Sequence, residues 1–245
     1  QTPVTASPAA NAPVTARVMK ATRTPGTIEI DGKLDEEAWQ KAVVLKDFYQ
    51  IQPGDNTPPS RPTEVLLGFD PKFLYIAFKA TDEPDKIRST VAKRDNIFQD
   101  DYVGFFLDTF NDKRKAFEAF FNPLGIQGDG ILTEGRGEDF SVDLLMESKG
   151  IVHETGFNVE IAIPIAYFAE KSKMPEFRLN VAVNDRDTPG GDDVYRGPVY
   201  GGAVVRLADG TSFAADFPHQ KGGPENPLSP DEVRAAKEPI LRWKA

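Results

Sequence analysis

Four groups of residues have types and spacings that could carry chemistry, and each also has a plainer reading. Asp100 and Asp101 adjoin, and glycoside hydrolysis uses two carboxyls about 5–10 Å apart on either side of the bond. Neighbours in a strand point to opposite faces, so these two serve one site poorly and are expected to bond backbone amides or the nearby Arg94. Asp31, Asp35 and Glu36, with a second acidic stretch at residues 128–139, supply the oxygen ligands that calcium takes. They are the candidate ligands of a structural calcium ion. Their spacing matches no fixed calcium loop, and a solvated acidic face would use the same residues. His153 and His219 are the only histidines and no nucleophile-elbow sequence accompanies them, which leaves a Ser-His-Asp triad without support. Met146, on an alternating segment, reads as core.

The stretch that must position such groups runs over residues 94–130, RDNIFQDDYVGFFLDTFNDKRKAFEAFFNPLGIQGDG. Side chains alternate along a strand, so Val103, Phe105 and Leu107 share one face, and Tyr102, Gly104, Phe106 and Asp108 the other. Phe117, Ala119 and Phe121 then oppose Ala116, Glu118 and Phe120. The two runs predict a central hairpin with polar residues at its ends: Asp100 and Asp101 before it, Asn122 after it. Loops at the ends of a rigid sheet are where a small ligand is expected. Residues 34–41 predict a short helix capped by Asp35, with Trp39 plugging one end of the core. Further strands are expected at 17–21, 27–30, 43–49, 64–70, 73–81, 142–148, 157–163 and 177–184. Residues 82–94 read as a charged connection, part of it helical, and 129–140 as a glycine-rich acidic loop. No helix is long enough to cross repeatedly between parallel strands, so the fold class is all-β: an antiparallel, jelly-roll-like β-sandwich with a few short helices. It spans residues 17–217, between a flexible Ala/Pro/Thr-rich segment, 1–16, and a Pro/Gly-rich tail, 218–245.

The composition narrows the function. A net charge of −9 disfavours nucleic acid, which needs a concentrated cationic surface. The chain has no cysteine, so disulfides, thiol catalysis and thiolate metal sites are excluded together. The low-complexity start is expected to follow a removed export signal, placing the protein in the periplasm, at the cell surface or outside the cell.

Three segments together carry a family resemblance: IDGKLDEEAW at 30–39, FQDDYVGFFLD at 98–108, and GFNVEIAIP at 156–164 with LNVAVND at 179–185. In this order they resemble the family 9 carbohydrate-binding module, a DOMON-like β-sandwich of secreted xylanases. The 94–130 stretch is most similar to a module of this type at the N-terminus of large bacterial outer-membrane proteins of unknown function. Sugar-binding members hold a terminal sugar between two tryptophans and grip its hydroxyls with Glu, Arg and Asn. The resemblance places Phe98 at the first tryptophan position and Asn184, beside Asp185, at the asparagine. Tyr195 or Tyr200 is the counterpart of the second tryptophan, and Asn122 completes the candidate ligand residues. The glutamate position is Gly104 and the arginine falls near Ala119 or Phe120, so both of those grips are missing. Some DOMON-like relatives hold haem through Met, for which Met19, Met146 and Met174 are the candidates, with core packing as the simpler role. What the resemblance implies is a non-catalytic module of an exported protein, binding oligosaccharide or polysaccharide ends in polysaccharide catabolism. The alternative is a structural domain that docks on a membrane β-barrel or another partner.

Overall fold

In the computed structural model the described residues are 17–217 without 25, 27, 47, 53–57, 71, 109–113, 165–175, 189–190, 197–202 and 209–211. Fifteen strands, β1 (Arg17–Thr22), β2 (Val43–Leu45), β3 (Tyr49–Gln52), β4 (Thr63–Phe69), β5 (Phe73–Thr81), β6 (Tyr102–Asp108), β7 (Lys115–Phe121), β8 (Gln127–Thr133), β9 (Gly137–Asp139), β10 (Glu147–His153), β11 (Gly156–Pro164), β12 (Glu176–Thr188), β13 (Gly191–Arg196), β14 (Ala203–Ala208) and β15 (Ser212–Phe217), form two sheets. The larger runs β1-β15-β14-β12-β6-β7-β8-β9, and β3 joins it through β13 on β12. The smaller runs β10-β11-β5-β4-β2. Every ladder among the described residues is antiparallel. The expected all-β antiparallel sandwich is what the chain forms.

Period-two alternation builds the core as expected. Val103, Phe105, Leu107, Phe117, Ala119, Phe121, Leu179, Val181 and Val183 of the larger sheet pack on Val65, Leu67, Phe69, Leu74, Ile76, Phe78, Val159 and Ile161 of the smaller one. The central strand is β6, flanked by β12 and β7 in continuous register. Met146 packs against this core. Met174 lies outside the described residues, and Met19 lies on β1.

A second apolar layer covers the outer face of the smaller sheet. Leu66, Tyr75, Ala77 and Ala162 are buried there under Ile28, Ala38 and Trp39. Trp39 is therefore core, but it lies across a sheet face and does not plug the end of the sandwich. Its helix, α1, is a single turn, Glu37–Gln40, and the capping position is Glu36, without a side-chain cap, where Asp35 was expected. Glu160, on the outward face of β11, fixes this layer. Its Oε2 accepts the backbone N–H of Asp31 at 3.0 Å and of Gly32 at 2.6 Å, and its Oε1 accepts the Trp39 indole N–H at 2.7 Å.

Several boundaries differ from expectation for physical reasons. Residues 127–133 are a strand, although glycine and acid dominate them: Gly128 and Gly130 pair with Phe120 and Glu118, while Asp129 points inward to Arg94. The strand expected from residue 142 starts at Glu147, because Leu144 donates its N–H to Asp129 and its carbonyl accepts from Arg94 and Gln127, which holds the preceding turn away from the ladder. Residues 28–30 form no strand, and 82–94 contain no helix, since Arg88 and Thr90 spend their N–H groups on Asp101 and Asp100.

Candidate ligand face

Phe98 and Asn184 fall on two neighbouring parts of the larger sheet. Phe98 lies outside the core, half-buried on the outward face, where its ring meets Tyr102 at 5.7 Å, Phe120 at 5.7 Å and Phe140 at 5.2 Å, all edge-to-face. Tyr102 and Phe106 each meet Phe120 at 5.5 Å. Five rings thus form one aromatic surface, in the tilted geometries that the ring quadrupole favours. Alternation makes this possible, because Tyr102, Phe106 and Phe120 all occupy the face opposite the core. Gly104 also belongs to it: a Cβ there would lie 2.5 Å from Phe120 Cδ1, so the Phe120 ring fills the space a side chain at 104 would need. Phe140 could not be assigned to this face from the sequence, since it arrives from the turn after β9.

Asn184 pairs in register with Tyr102, and its Oδ1 is buried without a hydrogen-bond partner. With Asp185 it lines a small recess at the end of the sandwich, together with Arg61, Thr63, Asp82 and Asp101. Tyr195 is placed on β13 opposite Val183, and Tyr200 lies outside the described residues. Asn122 is fully buried: its Nδ2 donates to the Thr90 carbonyl and Asp100, and its Oδ1 accepts from Leu124 and Ile126. Every hydrogen-bonding position of the amide is used, so Asn122 braces the turn after β7 where a ligand contact was expected.

The acidic groups separate in the same way. Asp100 accepts from Thr90 and Asn122, and Asp101 accepts the N–H groups of Arg88 and Arg186. Both bond backbone amides as expected, while Arg94 pairs with Asp129 and Asp143. Asp31 holds Lys33 by backbone and side chain, and those bonds keep its carboxyl below the usual range. Glu36 accepts the N–H of Glu29. Among the described residues no three acidic or histidine side chains are placed together to hold a metal ion. His153, expected in a turn, is half-buried at the end of β10, with Nε2 3.2 Å from Asn158 Oδ1. His219 lies outside the described residues.

One carboxyl on the aromatic face has no counterpart among the expected site residues. Glu118 sits between Phe106 and Gly130 in register, is completely buried, and neither of its oxygens has a hydrogen-bond partner. Burial pushes its carboxyl up to about 8, and the charge of Glu138 pushes the same way, so it is a neutral acid at pH 7. The alternation that put Glu118 beside Phe120 was the signal for it.

The family described as "Carbohydrate family 9 binding domain-like" matches residues 30–197. Two structures of a family 9 carbohydrate-binding module from Caldicellulosiruptor kristjanssonii are similar. The one in complex with cellotriose is 16% identical, covers 71% of this chain and 81% of that one, and has a TM-score of 0.50. The one in complex with glucose is 17% identical, with 71% and 83% covered and a TM-score of 0.51. A Bacteroides uniformis protein of proposed carbohydrate-binding function, 10% identical, covers 73% of this chain and 88% of that one at a TM-score of 0.57. At these identities the likeness is one of fold. No curated protein sequence matches the chain significantly.

Proposed function

The chain belongs to the carbohydrate family 9 binding domain-like family, and from that premise we propose that it is a non-catalytic carbohydrate-binding module of an exported protein. Its ligand is an oligosaccharide or the end of a polysaccharide. The observation that carries this reading is the aromatic surface around Phe98 with Asn184 at its edge. Aromatic rings take the apolar face of a sugar, and Asn184 is the polar residue at the edge of that surface. The similar modules bound to cellotriose and glucose support that ligand class.

Phe98→Ala is expected to weaken binding of cellotriose by about tenfold or more, in line with roughly 1–3 kcal/mol for stacking on one ring. Because Phe98 is half-buried and outside the core, the same substitution should lower stability by only about 1–2 kcal/mol, below the 3–5 of a core phenylalanine. Calorimetric titration and thermal melts read the two effects. An unchanged affinity in a folded variant removes Phe98 from the site.

A second reading draws on the Phe120 ring, which occupies the space above Gly104 where a gripping side chain would stand. On that reading the module is a docking domain of a cell-envelope protein, with a membrane β-barrel or another partner. Absence of binding to any oligosaccharide at millimolar concentration would leave this second reading in place.

A further inference from the structure

We propose that residues 137–141 form a strap across the aromatic face and that ionisation of Glu118 beneath it releases the strap. Glu118 pairs in register with Gly130, and the outer side of Gly130 is covered by main chain. A Cβ at Gly130 would lie 2.5 Å from the Asp139 carbonyl oxygen and 3.1 Å from Phe140 Cα. The strap therefore crosses the sheet directly beside the unpartnered carboxyl and ends with the Phe140 ring against Phe98.

It lies at the edge of the larger sheet. β9 has three residues, all exposed, and pairs with β8 alone. The Asp139 side chain accepts the N–H and the hydroxyl of Ser141, inside the strap itself. The turn leading into it holds Gly135 and Gly137 at φ 75° and 86°, with open space around both, so it can pivot without collision.

The charge that acts on Glu118 comes from the strap. Glu138 of β9 raises its proton affinity. β8 presents Gly130 and β6 presents Phe106, with Asp108 one pair further on and Arg178 placed opposite Asp108 on β12. On β7 the same face carries Ala116 and Phe120. A neutral acid is tolerated among these groups, whereas a buried carboxylate with no donor is not. Once the proton leaves, the carboxylate reaches water by lifting the strap, and repulsion from Glu138 acts in the same direction. The closed form holds the carboxyl at about 8 against the ordinary 4.5, so its advantage is lost progressively as pH rises from about 4.5 to about 8, by about tenfold for each pH unit.

Hydrogen–deuterium exchange on the full chain tests this, each rate being divided by the intrinsic rate at that pH. Protection of the amides of residues 137–141 is expected to fall by at least about tenfold between pH about 6 and pH about 9 in the wild type, and less than about threefold in Glu118→Gln. Glu138→Gln should at least halve the fall, and it decides the matter if circular dichroism shows Glu118→Gln unfolded. Unchanged wild-type protection overturns the proposal, as does an equal fall in a folded Glu118→Gln or in Glu138→Gln. The experiment uses no sugar, so its outcome is independent of the carbohydrate reading.

Discussion

Trp39→Ala is expected to lower unfolding free energy by about 4–8 kcal/mol, combining about 3–5 for truncating a buried large aromatic with about 1–3 for a buried acceptor that loses its donor. Trp39 is 2% exposed and covers Leu66, Tyr75 and Ala162 on the smaller sheet. Its indole N–H is also one of three donors to Glu160. The second role separates from the first in Trp39→Phe, which keeps most of the ring. Burial raises the Glu160 carboxyl from 4.5 to about 7, while the Gly32, Trp39 and Asp31 N–H groups hold it down against the charge of Glu36. A carboxyl raised on folding contributes stability that is complete below its unfolded value and is lost as pH rises through its folded value. For Glu160 that window runs from about 4.5 to about 7. Removing the indole donor raises the folded value further, so the Trp39→Phe penalty should be larger at pH 8 than at pH 5. Urea unfolding at both values reads it. A penalty independent of pH would show that the N–H does nothing for the carboxylate.

The pairing of apolar faces was legible in the sequence because β4, β5, β6, β7 and β11 carry clean alternation, and alternation is what a sandwich core selects. Glu160 was not legible: it interrupts an apolar strand, GFNVEIAIP, and its donors lie some 120–130 residues away in the chain. β8 was hidden by composition. Its glycines carry no apolar signal because they sit beneath Phe98 and the strap, and its aspartate is buried only because Arg94 meets it. Phe98 and Asn184 were legible through family resemblance alone, since nothing in local spacing places 98 beside 102, 120 and 140. Asn122 shows the converse limit. A polar residue at a strand end looks like a ligand contact, and only the tertiary structure shows that Thr90, Asp100, Leu124 and Ile126 already use it.

Asp129→Ala is expected to lower stability by about 1–3 kcal/mol, because the buried Leu144 N–H loses its acceptor while Arg94, 36% exposed, keeps water and Asp143. The Asp129 carboxylate is fully buried at the inward side of β8, and burial raises its proton affinity against the pull of the Leu144 N–H and Arg94. Arg94 Nη2 lies 2.6 Å from Oδ1 and 2.8 Å from Oδ2, with hydrogen-bond geometry at Oδ2 alone. The same guanidinium group donates to the Leu144 carbonyl, which also takes Gln127 Nε2, and Leu144 N–H returns to Asp129. These bonds fix the segment that carries the chain from the larger sheet to β10 of the smaller one. Arg94→Ala should be strongly destabilising, because it leaves the carboxylate buried and unpaired. The double variant should lose less than the sum of the single losses, since residues within one network are not additive. Denaturant unfolding of the four proteins measures this coupling, with at least about 1 kcal/mol expected. Additive losses, or a loss below about 1 kcal/mol for Asp129→Ala, would mean that the segment is held by core packing of Leu144 and Met146 and that the ion pair is incidental.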